Sequence, residues 1–302
     1  MADRDLDVCR GLLQRKDRRL FAAGVMLPPR VRDALTPLFA FFWAAMDEAS
    51  QEGAAPGVID ELRRRVDAIY TAAPRTIPID RALTKIVEGY GLPRAVFDWF
   101  LEGLGWDVDG RRYATDGALL DYAVRTAGTV GVAASLIMGR SRHVVLDRAC
   151  DLALAIKLTA LARDVGEDAR RGRLYLPIEW LEEAGVDVDL FLEHPTASAG
   201  VRNVVGRLLQ SADAFYKRAD PGILALPIAC RPAVRAGRYL FSALGDEIER
   251  AGCDSVSRTI DVSTPRAARL AVRAFRASRS ESRAIDQSRL ESAERLVAAV
   301  AG

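Results

Sequence analysis

Leu152-Ala153-Leu154-Ala155-Ile156 and Leu158-Thr159-Ala160-Leu161-Ala162 flank a single lysine, Lys157, in a run that is apolar almost all round. A helix without a polar face must be surrounded by other elements, so this run requires a chain that can enclose it. The rest of the sequence offers helices for the purpose. Alanine, Leu and Arg dominate, and alternating β-branched runs are absent. Helical period is read over 31–48, where Leu35, Leu38, Phe39, Phe42 and Met46 recur, and over 58–70, 79–89 and 93–104. It continues over 119–138, broken at Gly128 and Gly131, and over 144–170, 177–184, 198–225, 232–251 and from 265 onward. Gly53 to Gly57, with Pro56 beside Gly57, reads as a loop. No repeat period and no linker divide the chain, so 1–275 is expected to be one all-α domain and 276–302 a terminal helix or mobile tail.

The buried run continues into charge. Asp164 and Asp168 are four apart, on one helical face. Two such carboxylates suit a hard cation such as Mg2+, with remaining positions left for water and phosphate. Arg163, Arg170, Arg171 and Arg173 lie close by, and Arg matches phosphate oxygens well. The bland alternative is a set of surface ion pairs worth about 0.3–0.5 kcal/mol each. Charge that extends a buried helix favours a cavity lining, and so a site for a metal-bound diphosphate.

Composition narrows the remaining classes. In 302 residues, half of them hydrophobic, 43 basic and 41 acidic side chains leave a net charge of +2. That balance calls for neither nucleic acid nor an anionic membrane. The start, Met1-Ala2-Asp3-Arg4-Asp5, carries no apolar signal region. Thr36 and Pro37, then Lys157 and Arg163, interrupt the best candidate membrane spans. Cys9, Cys150, Cys230 and Cys253 form no CxxC and read as thiols of a reducing cytoplasm. His143 and His194 are isolated, against a zinc site or a His-centred triad.

The ordered motifs resemble the squalene and phytoene synthase family. They are Leu27-Pro28-Pro29, Leu38-Phe39-Ala40-Phe41, Tyr122 with Ala127-Gly128-Thr129-Val130-Gly131, and the charged segment from Arg163 through Pro177. Ala212 to Ala219 around Tyr216, Arg231-Pro232-Ala233-Val234-Arg235-Ala236, and Ser257-Arg258 before Val262-Ser263-Thr264-Pro265 complete the series. The resemblance implies an isoprenoid synthase fold, a single helical bundle with a central cavity. It also implies Mg2+ held by two acid-rich helix motifs, and ionisation of an allylic prenyl diphosphate. By it, Asp164 and Asp168 are metal ligands and, with Arg163, catalytic. Arg163, Arg171 and Tyr175 are expected on diphosphate, joined by Lys157 and Arg19. Gly128 and Gly131 either let a helix bend beside the pocket or allow close helix packing.

The chain departs from the family pattern on one wall. Where a D-D-x-x-D-like run is expected stands Met46-Asp47-Glu48-Ala49-Ser50, and Trp43 replaces a base one turn earlier. Lys157 and Ala160 stand where the family often has Gln and Asn, and Asp17 and Arg19 where it has serines. Lys157 is a snorkelling surface lysine or a replacement cation for diphosphate. Phe39, Trp43 and Met46 are either core or an acceptor and prenyl pocket, with Asp47 as a further metal ligand. Weak first motif and intact second motif together resemble the phytoene-synthase-like prenyltransferases that alkylate carbazoles in bacterial antibiotic pathways. The expectation is therefore a cytoplasmic, Mg2+-dependent transferase moving a short group, such as dimethylallyl from its diphosphate, onto a small aromatic acceptor. Lipophilic substrates would bring it to a membrane periphery. The acceptor proton would pass to diphosphate, Asp47 or Glu48. The alternatives are head-to-head joining of two prenyl diphosphates, and a non-catalytic relative that acts in assembly of respiratory complexes.

Overall fold

The computed structural model describes residues 2–16, 18–50, 57–277 and 289–301, and among them there is no strand. The first helices are α1 (Ala2–Lys16), α2 (Arg18–Gly24), α3 (Pro29–Ser50), α4 (Val58–Tyr70), α5 (Pro78–Tyr90) and α6 (Ala95–Val108). Next come α7 (Asp116–Ala123), a π-helical turn (Val124–Gly128), α8 (Thr129–Ile137), α9 (His143–Arg170), α10 (Ile178–Glu183) and α11 (Val188–Glu193). The chain then forms α12 (Ala199–Ala225), α13 (Arg231–Arg250), α14 (Thr264–Ala277) and α15 (Glu291–Ala301). The loop expected at 53–57 lies, except for Gly57, outside the described residues.

α9 is the enclosed helix that the apolar run demands. It packs on α12, α8, α13 and α15, and Leu154, Ala155, Leu158 and Ala162 are fully buried. Close approach is possible because α8 and the π turn offer glycines. A Cβ on Gly131 would sit 2.6 Å from the Ala149 carbonyl oxygen, and one on Gly128 2.7 Å from Cys150 Sγ. Of the two roles weighed for these glycines, this is close packing. Of the two breaks expected, the π turn ends at Gly128, while the helix runs on through Gly131. At Gly222, α12 passes against the side-chain stem of Arg148.

α3 forms the opposite wall with α1, α5 and α6. It tolerates Pro37 while Phe41 and Phe42 anchor it: Phe42 meets Phe100 at 4.4 Å and Phe97 at 5.7 Å between ring centres. α15 belongs to the core, with Leu296 and Val297 buried on the side of α9 and α6. Among the described residues, no helix is long and apolar enough to cross a membrane.

Candidate active site

The site begins where α9 stops. Gly172 takes the left-handed conformation (φ 70°), and the Arg173 amide donates to the Asp168 carbonyl at 2.9 Å, a glycine-terminated helix end. The chain then turns back. Ile178 and Glu179 donate backbone N–H bonds to Tyr113 and Ala114, at 2.9 and 3.0 Å. That pairing brings Tyr175 beside Tyr113 and Tyr122, with ring centres 5.1 to 6.2 Å apart. Gly166 lets the segment around Ser255 and Val256 lie directly on α9, where a Cβ would meet Val256 Cα at 2.6 Å.

One carboxylate organises the aromatic group. Asp107, at the end of α6, accepts from the Tyr122 hydroxyl and the Tyr175 hydroxyl, each at 2.8 Å. Lys157 Nζ donates to Tyr122 Oη at 3.2 Å and lies 4.8 Å from the Tyr122 ring centre and 5.7 Å from that of Tyr175. Among the described residues Lys157 makes no ion pair. Burial lowers its pKa, against the pull of Asp107, Asp168 and Asp164. Lys157 is half-buried, and an ammonium resting on ring faces and one hydroxyl is costly unless an anion completes its environment. Of the two readings weighed for Lys157, the surface one fails.

Asp164 and Asp168 are half-buried on one face of α9. Asp164 accepts both Nε and Nη2 of Arg163, each at 2.6 Å. Burial first, and the Asp164 charge second, push the Asp168 carboxyl up to about 7. Asp168, which has no ion-pair partner among the described residues, and Asp164 one turn away fit a divalent cation, provided substrate phosphate and water supply the other oxygens. Asp164 and Asp168 would hold it. Asp47 would not join them: no group of three or more His, Cys, Asp or Glu gathers among the described residues. Asp47 instead pairs with Lys16 at 2.5 Å, and Glu48 with Arg65 at 2.6 Å, while Arg65 also holds the buried Asp80 at 2.7 Å. The α3 acids stitch the scaffold together.

Other assignments sort by contact. Arg171 pairs with Glu167 at 2.9 Å on the outside and does not reach the site. Arg173 is the inward arginine of the run, bonded to Ser50 Oγ at 3.4 Å, which sets the end of α3 across from the end of α9. Phe39, Trp43 and Met46 are half-buried along one stripe of α3 above that contact. The Arg19 side chain and Asp17 lie outside the described residues. Asp107 and Tyr113 carry no sequence signal: Asp107 sits in Trp106-Asp107-Val108-Asp109, which reads as an ordinary polar helix end.

A helical bundle with acid, lysine and arginine gathered near the end of its enclosed helix defines an all-α protein with a charged site. The squalene/phytoene synthase family model matches residues 13–276, and the chain belongs to that family, a family of prenyl transferases. It is 43% identical over 269 residues to a phytoene synthase of Cereibacter sphaeroides, covering 85% of this chain and 76% of the relative. It is 35% identical over 258 residues to a 15-cis-phytoene synthase of a Paracoccus species, covering 82% and 83%. A dehydrosqualene synthase structure superposes with a TM-score of 0.82 at 22% identity, over 90% of this chain and 96% of that one. The squalene synthase HpnC of Alicyclobacillus acidocaldarius follows at 0.74 and 22%, over 83% and 95%. These place the fold as an isoprenoid synthase bundle.

The relatives overturn the expectation of aromatic prenylation in antibiotic synthesis. The altered α3 wall belongs to a chain closely similar to phytoene synthases, with no likeness to carbazole prenyltransferases among these relatives.

Proposed function

We propose that this protein joins two prenyl diphosphates head to head, giving a hydrocarbon of the phytoene or squalene type. The reading is carried by one observation: the Asp164–Asp168 pair faces Lys157 and the Tyr122–Asp107–Tyr175 group in a chain 43% identical to a phytoene synthase. Asp164 and Asp168 would hold Mg2+, which would supply charge against the departing diphosphate. Lys157 and Arg173 take diphosphate oxygens. Breaking the first C–O bond leaves an allylic cation, and the rings of Tyr122 and Tyr175 give it an aromatic environment. The double bond of the second molecule attacks that cation and a proton leaves to the released diphosphate, giving an intermediate that still carries the second diphosphate. Departure of that diphosphate and loss of a second proton complete a phytoene-type hydrocarbon, whereas a squalene-type one takes a hydride from a reduced nicotinamide in place of that last proton loss. Arg163 holds Asp164 in place and is a positioning residue.

Incubation with geranylgeranyl diphosphate and Mg2+, followed by extraction and mass spectrometry, tests this. A hydrocarbon containing two donor chains is expected, and recovery of unreacted donor alone sinks it. One observation favours a second reading, a non-catalytic relative that binds prenyl diphosphate without condensing it: Asp47 and Glu48 are already neutralised by Lys16 and Arg65. Calorimetric binding of the donor without turnover would select that reading.

A further inference from the structure

We propose that the outer face of α14 docks on an anionic lipid surface. α14 contains four arginines and no acid. Its first arginine, Arg266, is consumed by the fold, paired with Asp246 at 2.8 Å and with Glu247 of α13. Arg269, Arg273 and Arg276 follow on the exposed side, and none makes an ion pair among the described residues; Arg273 lies over the Tyr239 ring at 4.9 Å. Between them runs an exposed apolar ridge, Ala268, Val272 and Phe275, with Val272 54% and Phe275 58% exposed. The buried side is fixed: Ala274 is fully buried, and Arg235 Nη1 donates to the Ala277 carbonyl at 2.8 Å.

An apolar ridge flanked by exposed arginines, on a helix packed against α13, has the composition of a helix that sits in the headgroup plane. Arg binds lipid phosphate while Val272 and Phe275 enter the acyl boundary. A second copy of the chain suits the face poorly, since a two-fold contact would set the same three arginines against one another. The apolar centre also suits nucleic acid poorly, because that polyanion offers the ridge nothing apolar to bury against.

Flotation of the full chain with vesicles tests this without any prenyl diphosphate, so its outcome is separate from that of the condensation assay. Vesicles of phosphatidylcholine with phosphatidylglycerol should carry the protein, less so as salt rises, and phosphatidylcholine alone should carry little. R269Q/R276Q should weaken partitioning roughly 25-fold, taking about a factor of five for each arginine, and F275S should weaken it too. Both sites are exposed, and circular dichroism checks that the variants stay folded. No binding to either vesicle, equal binding to both, or an R269Q/R276Q variant that floats like wild type would overturn the proposal. So would light scattering that shows this face occupied by a second copy.

Discussion

Asp168 keeps its proton to about pH 7 because it is buried beside Asp164, and the consequence for stability has a definite sign. Its folded pKa lies above the ordinary 3.8. Between about pH 4 and pH 7 the folded chain therefore retains a proton that the unfolded chain releases, and stability falls as pH rises through that window. Asp168→Asn should raise the melting temperature at pH 8, by on the order of 2–4 kcal/mol in free energy, with little effect at pH 4. The same substitution should abolish turnover, and thermal melts across pH together with the condensation assay check both. Lys157→Gln should lower affinity for inorganic pyrophosphate about 10- to 100-fold, as loss of a charge-assisted bond implies, read by calorimetry. Asp164 and Asp168 were legible in the sequence because a spacing of four on an apolar helix is a local signal. Asp107 was not, since its role depends on two tyrosines, Tyr122 and Tyr175, that approach it only after folding. Asp47 misled for the complementary reason: its pairing with Lys16 is set by how α1 lies on α3.

Elements followed the sequence where the helical period was sustained, although neither helix below has a side-chain cap at its start. The helix expected over 58–70 is α4, residue for residue, and the one over 144–170 differs from α9 by one position. The region 119–138 did not follow, because a π turn inserts one residue without breaking the apolar pattern. α11 and α10 are both six residues long; α10 is expected over 177–184, where Pro177 marks its start, and α11 is not expected from the sequence. Helix contact rather than helix bending explains Gly131, which gives a direct test. Gly131→Ala should cost about 1–3 kcal/mol by overpacking against Ala149 and Ala153, measured by denaturant unfolding, although alanine is otherwise the better helix former.

For the whole molecule, a net charge of +2 conceals two concentrations of charge. One is the arginine face of α14. The other is buried: Asp151 pairs with Arg148 at 3.0 Å and with Arg218 at 3.1 Å, and Asp147 with Arg289 at 3.0 Å, tying α12 and the approach to α15 onto α9. Burial pushes the Asp151 carboxyl up to about 6 despite both arginines. Asp151→Asn takes their shared carboxylate from Arg148 and Arg218, and should cost about 3–5 kcal/mol at neutral pH. The loss should shrink below about pH 5, where wild type is itself protonated; urea midpoints at both pH values check it. The position of α15 bears on how the chain is made. Leu296 and Val297 cover α9 and α6, yet α15 is synthesised after every other helix described. On the ribosome, α9 and its partners therefore wait with an apolar seam uncovered, and aggregation there competes with completion of the fold. Yield should depend more steeply on temperature and chaperone supply than the stability of the finished bundle alone would suggest.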